Sequence, residues 1–154
     1  MSAASPPNTP RKLELNATLQ EMVKSAFERG RPMSVAYADA QGHPQISFRG
    51  SLQPHSDTAL AIWVRNPESG ILKAVRAGHE HIAMLYGEPG AQRSFLTFRG
   101  RGHIDNSDAM RRRVYDSAPA AERGRDPEQK GVPLIIELDS IDGIFQGEIL
   151  RMRR

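Results

Sequence analysis

The spacing of apolar residues changes period several times along the chain, and each change marks an element. Leu19, Met22, Val23, Ala26 and Phe27 recur at three-and-four spacing, one buried helical stripe that Asn16 caps and Gly30 with Pro32 stops. From Met33 the period becomes two. MSVAYAD alternates, AQGHP has turn chemistry and QISFRGSL alternates again, which predicts a β-hairpin. A third strand, TALAIWV (Thr58 to Val64), follows a turn placed at Pro54 to Asp57. After the polar loop RNPESG, ILKAVRAG predicts a short helix ended by Gly78, with Ile71, Leu72 and Val75 toward a core and Lys73 and Arg76 outward. HIAMLYG and SFLTFRGRGHID are two further strands about the turn EPGAQ. Asp105 to Ser107 cap a helix through DAMRRRVYDSA, PAAERGRDPEQKG reads as a charged surface loop, and VPLIIELDSIDGIFQG closes as a long strand bent at Asp142-Gly143.

Several antiparallel strands with few helices define a mainly β, α+β chain and favour a small barrel, because closure removes exposed strand edges. With 154 residues and 38% hydrophobic content, the length suits one compact domain, placed at residues 15–154. Residues 1–14 are expected to be a disordered N-terminal segment. Their opening, MSAASPPNTP, lacks the basic start and apolar run of a secretory signal, and no later stretch approaches the roughly 20 apolar residues of a membrane span. The chain has no cysteine, which excludes disulfides and thiolate metal sites, suits a reducing cytoplasm and leaves redox chemistry to a cofactor. A net charge of +3 comes from 21 basic residues interspersed with 18 acidic ones, a balance that favours weak attraction to anions over a nucleic-acid face.

The common chemical motifs are missing. Neither glycine-rich phosphate grip, G-x-G-x-x-G after a strand or G-x-x-x-x-G-K-[ST], is present, and no G-x-S-x-G elbow indicates a hydrolase. His79 and His81 flank Glu80, but this spacing does not place two imidazoles on one helical face, and capping or solvated histidines explain it better than a metal does. Arg111 to Arg113 read as a solvated helix surface with Arg113 near an interface. No catalytic acid, base or nucleophile is identified.

One pattern does point to a ligand. On the strand Gln45 to Ser51, alternation puts Gln45, Ser47, Arg49 and Ser51 on one face. Beyond Trp63 and Val64, the loop and helix start supply Ser69, Gly70 and Lys73, with backbone N–H groups free to meet a phosphate. A half-wet barrel strand with polar groups facing water explains the same pattern equally well.

In order, the N-terminal helix, GRPMSVAYADAQGHPQISFRGS, LAIWVRNPESGILKAV, HIAMLYG and FLTFRGRGHI resemble the flavin-binding split-barrel proteins related to pyridoxamine 5′-phosphate oxidase. The resemblance runs from about Leu19 to Asp105, with weaker support through Gly147. It implies a homodimer of six-stranded antiparallel split barrels with short flanking helices, and flavin mononucleotide (FMN) held between the protomers. Ser47, Arg49, Gly50 and Ser51 would then line the flavin and its tail. Trp63 and Val64 would correspond to the aromatic and small polar pair of the next strand, Ser69 and Leu72 would lie at the helix start, and Lys73 would contact the phosphate. FRGRGHI would be a core strand in which Gly100 and Gly102 permit close packing, making Arg99 and Arg101 weaker candidates for ligand contact.

The departures have consequences of their own. Leu72 stands where the family carries an arginine, Val64 lacks a hydroxyl, and Phe95 replaces a glutamine near the flavin ring. EILRMRR leaves no counterpart of the oxidases' C-terminal substrate segment, which speaks against a true pyridoxamine 5′-phosphate oxidase. Some relatives use the deazaflavin F420, whose longer acidic tail Arg49, Arg65, Lys73 and Arg76 could serve, and others bind heme. The resemblance thus implies a cytoplasmic flavin-dependent oxidoreductase of a small molecule, with a non-catalytic flavin carrier or sensor and an F420-dependent reductase as rivals.

Overall fold

The computed structural model describes residues 9–154. Of the segment expected to be disordered, residues 1–8 lie outside the described residues. Beyond them, Arg11–Lys12 form β1, parallel to the last strand, and Leu13 and Leu15 are buried in the core.

Helix α1 (Ala17–Ser25) begins as its sequence predicts. Asn16 is extended and its side chain accepts from the Leu19 N–H at 2.9 Å, while Leu19, Met22 and Val23 face the core. The helix stops before Phe27, whose half-buried ring lies beside Gly50. The β2–β3 hairpin (Ser34–Ala38, Pro44–Phe48) is closed by Asp39, whose Oδ1 accepts from the N–H groups of Gln41 and His43 at 3.0 and 2.9 Å.

Among the described residues nine strands form one mixed sheet, in the order β1-β9 (Glu148–Arg153)-β8 (Val132–Phe145)-β7 (Ser94–Ile104)-β6 (His81–Glu88)-β2-β3 with β4 (Gln53–Ser56) and β5 (Ala59–Val64) joined through β8, and the hydrogen-bonded order does not close on itself. This exceeds the six strands that the sequence resemblance implies. Two of the additional strands come from places read as turn and tail. Gln53–Ser56 form β4, paired with β5 (Ala59–Val64) across an irregularity at Pro54, and Glu148–Arg153 form β9, a hairpin partner of β8.

Strand β8 (Val132–Phe145) organises the sheet. Its first half pairs with β5 and its second half with β9, while β7 (Ser94–Ile104) runs along its other edge throughout. The β7–β8 register shifts between Arg99 and Gly100, opposite Asp139, so the ladder's irregularity lies there instead of at Asp142-Gly143. Gly143 stays paired, at φ +145, where a Cβ would lie 1.9 Å from the Phe95 carbonyl oxygen.

The apolar run Ala59–Val64 is buried on both faces. Leu60, Ile62 and Val64 enter the main core, and Ala59, Ala61 and Trp63 face a second cluster with Val114 and Tyr115 of α3 (Asp108–Ser117). Helix α2 (Gly70–Arg76) seals one end of the main core with Ile71 and Leu72. Strand β6 (His81–Glu88) joins β2 to β7. The segment read as a charged surface loop contains α4 (Ala120–Arg123) and two buried carboxylates, Glu122 and Asp126. Among the described residues, no helix is long and apolar enough to cross a membrane.

Candidate functional site

The ladder of β3 ends at Phe48, and one more hydrogen bond, from Arg49 N to Met33 O at 3.1 Å, leads into a turn over Arg49 to Ser51. Ser47, Arg49 and Ser51 therefore do not share one strand face as alternation predicted. Ser51 turns inward: its Oγ accepts from the Trp63 N–H at 3.1 Å and donates to Trp63 O at 2.9 Å, which pins the turn to the end of β5. Ser51 is thus occupied structurally. Gly50 is held tightly, since a Cβ there would lie 2.7 Å from both Glu122 Oε1 and the Phe27 ring.

Around this turn opens a cavity of about 450 Å³. Phe27 and Pro32 from the α1–β2 connection, Phe48 to Ser51, Trp63, Arg65 and Asn66 at the end of β5, and Glu122 with Arg125 line it. It gathers three guanidinium groups and one carboxylate. The Arg49 Nε is buried and, among the described residues, has no hydrogen-bond partner. Burial holds the Arg49 guanidinium below its ordinary pKa; Tyr37 opposes that shift and the charge of Arg65 adds to it. The group nevertheless stays charged. A buried charged donor without an acceptor is costly, and an anion entering the cavity would satisfy it.

The indole of Trp63 forms a wall fixed from behind. Its Nε1 donates to Asp126 Oδ2 at 2.8 Å, the Tyr115 ring meets it edge-on at 5.1 Å, and the Arg111 guanidinium lies 5.2 Å from its centroid. Arg111 also donates to Asn106 Oδ1 and Gly131 O, so it is an internal tie and not the solvated residue that its run of charges predicted. Arg113 donates to the carbonyl of His55. Burial pushes the Asp126 carboxyl up, but the N–H of Lys130, Trp63 Nε1 and the N–H of Gly131 together hold it below the ordinary value.

A second buried polar atom without a partner among the described residues, Ser69 Oγ, lies just before the start of α2 (Gly70–Arg76). At the next residue a Cβ would lie 2.5 Å from Tyr37 Oη, so a side chain at Gly70 would have to displace the tyrosine hydroxyl.

The remaining expected site residues lie elsewhere. Ser47 is exposed on edge strand β3 and does not line the cavity. The side chains of Val64 and Leu72 are sealed in the main core and offer nothing to a ligand. Lys73 is exposed and stands 3.9 Å from Glu68, while Arg76 donates to Pro67 O at 3.1 Å. Sequence reasoning missed Glu122, Arg125 and Phe27 as cavity residues. A lone tryptophan that needs an acceptor for its Nε1 was the available signal that the GRDPEQKG stretch packs inward. Among the described residues, no group of three or more histidine or carboxylate side chains is placed to hold a metal.

No family profile matches the sequence, and no curated protein matches it either. Solved structures do. The Group A Streptococcus protein HupZ shares 21% identity at a TM-score of 0.61, over 85% of this chain and 96% of that one. A protein from Clostridium acetobutylicum related to general stress protein 26, of the pyridoxinephosphate oxidase family, matches at 9% identity and a TM-score of 0.61, over 87% and 95%. An FMN-binding protein from Syntrophomonas wolfei matches at 10% identity and a TM-score of 0.58, over 82% and 86%. The chain therefore has the fold shared by the pyridoxamine 5′-phosphate oxidase-like and FMN-binding proteins.

Proposed function

We propose that this chain is an FMN-binding split-barrel protein and acts as a flavin-dependent oxidoreductase on a small organic molecule. The observation that carries the reading is the buried, unpartnered Arg49 Nε in a cavity with two further arginines, on a fold shared with an FMN-binding protein. The residues fit the group. Arg49, Arg65 and Arg125 would receive a phosphate dianion, and Ser69 Oγ offers a further donor beside Tyr37 and Gly70. When bound, flavin supplies hydride transfer, and the protein's work is to hold, orient and shield the cofactor. Trp63, latched to Asp126, keeps the cavity wall rigid.

The same reading assigns a homodimer. Phe48, Ser34, Leu85, Thr97 and Asp142 lie side by side across one sheet face, as the cross-strand pairs require. All five exposed large apolar side chains, Ile46, Phe48, Leu85, Phe95 and Ile149, fall on that face. Exposed large apolar side chains gathered on one sheet face mark an association site. Phe48 also lines the cavity, so a second copy seated on this face would border the cofactor.

Titration of the purified protein with FMN and with F420, followed by absorbance and fluorescence, tests the reading. Saturable FMN binding, weakened by Arg49→Ala, is the expected result. Binding of F420 alone would transfer the site to the deazaflavin, and binding of neither would remove the oxidoreductase reading. FMN that binds but is neither reduced by a nicotinamide nor reoxidised by an acceptor would favour a carrier or sensor.

A further inference from the structure

The cavity also carries an acceptor that receives no protein hydrogen bond among the described residues. Glu122 is buried at 7% exposure, yet among the described residues no hydrogen bond reaches its carboxylate, and its cationic partner, Arg65 Nε, stands 3.9 Å away. The position of Glu122 on the cavity wall leaves its carboxylate oxygens free to accept from a donor that enters the cavity. Arg49 has the opposite need, a donor without an acceptor. Both groups face the turn at Gly50, where the absence of a side chain leaves Glu122 Oε1 its place.

A free phosphate or carboxylate would satisfy Arg49 but meet repulsion from Glu122. The phosphate ester of a polyol would satisfy both, with phosphate oxygens on the guanidinium groups and a hydroxyl donating to the carboxylate. The charge agrees: three arginines and one glutamate leave a net of two positive charges, the match for a phosphate monoester that carries about −1.5 to −2 at neutral pH. The volume of about 450 Å³ lies within the range of small-molecule sites.

We propose that Glu122 is a specificity-determining residue of this cavity, accepting a hydrogen bond from a hydroxyl of a polyol phosphate whose phosphate Arg49, Arg65 and Arg125 hold. The inference rests on the reading that the cavity takes the phosphate-bearing tail of a cofactor, and it names the residue that separates such a tail from a bare anion.

Calorimetric titration with ribitol 5-phosphate and with inorganic phosphate tests it on the full chain. The wild-type protein should bind ribitol 5-phosphate at least about tenfold more tightly than inorganic phosphate. Glu122→Ala should weaken ribitol 5-phosphate about tenfold and tighten inorganic phosphate, two changes of opposite sign. Glu122→Gln, which keeps an acceptor oxygen, should retain part of the preference. If Glu122→Ala fails to fold, the wild-type ratio and the glutamine variant decide. Equal wild-type affinities, no binding of ribitol 5-phosphate, or a shift of both probes in one direction would overturn the proposal. FMN separates the two readings. Failure of FMN while ribitol 5-phosphate follows the expected pattern would remove the flavin and leave Glu122 its role; FMN bound equally by wild type and Glu122→Ala would do the reverse.

Discussion

Phe48-Arg49-Gly50 and Phe98-Arg99-Gly100 are the same three residues in two unlike surroundings. The first set closes edge strand β3, with Phe48 70% exposed, Arg49 half-buried and unpartnered at Nε, and Gly50 beneath Glu122 and Phe27. The second lies in the middle of β7, between β6 and β8. Phe98 is fully buried, Arg99 faces outward 3.5 Å from Asp142, and Gly100 packs against the Glu137 carbonyl at the register shift. The parity is inverted: Phe48 points to the outer sheet face and Phe98 to the core. A period-two pattern has no sign of its own, and the neighbouring strands supply it. The same letters therefore form a ligand-facing turn in one place and a structural ladder in the other.

The sharpest separation should come from the phenylalanines. Phe98→Ala empties a fully buried site and should cost about 3–5 kcal/mol of unfolding free energy. Phe48→Ala should stay within about 0.5 kcal/mol for the single chain, while shifting the proposed dimer toward monomer in sedimentation. Similar losses in urea denaturation would mean that the two repeats are equivalent after all.

The glycines come next. A Cβ at Gly100 would lie 2.3 Å from the Glu137 backbone oxygen, so Gly100→Ala must move two strands apart and should cost about 3 kcal/mol. At Gly50 the obstructing atoms are side-chain ends, Glu122 Oε1 and the Phe27 ring, which can give way. Gly50→Ala should cost nearer about 1 kcal/mol and act mainly by displacing Glu122. Thermal unfolding of both variants, with FMN titration of the second, checks the order.

The arginines reverse the pattern. Arg49→Ala should weaken FMN by about 1.5–3 kcal/mol of binding free energy with little loss of stability, since it removes a charge-assisted contact and an unsatisfied buried donor. Arg99→Ala loses only an exposed pair, worth up to about 1 kcal/mol, and should leave FMN affinity unchanged. If Arg99→Ala lowers the affinity as much as Arg49→Ala, the cavity is not the anion site.

Much of the scaffold was legible because its signals are local. Asn16 and Ser107 cap their helices as their side chains predict, accepting from the N–H groups of Leu19 and Met110, and Gly100 and Gly102 do mark close packing. What escaped depends on contacts distant in sequence. Glu148–Arg153 pairs only because β8 extends past β5 and leaves an edge free, and Gln53–Ser56 is a strand because β5 lies beside it. Glu122 and Asp126 look like solvated charges in a run of charges until Trp63 and Gly50 are brought beneath them. The cavity joins residues 27 to 125, and no spacing in the sequence encodes that meeting.

Acid should also distinguish the two repeats, by the smallest expected effect. The wall of the first depends on Asp126, whose carboxyl the N–H groups of Lys130 and Gly131 and the Trp63 indole hold below the ordinary 3.8 against the opposing effect of burial. A carboxyl whose folded pKa is depressed binds its proton more readily in the unfolded chain. Its stabilising contribution is therefore complete above the unfolded value and is lost as pH falls through the folded one. As the chain has one tryptophan, its fluorescence reports this latch alone. Titration downward from pH 5 should change Trp63 emission only below about pH 4, before the far-ultraviolet signature of the sheet is lost. Asp126→Asn, which keeps an acceptor oxygen for the indole but does not titrate, should flatten that early step. An unchanged acid transition in the variant would show that the cavity wall does not depend on this carboxylate.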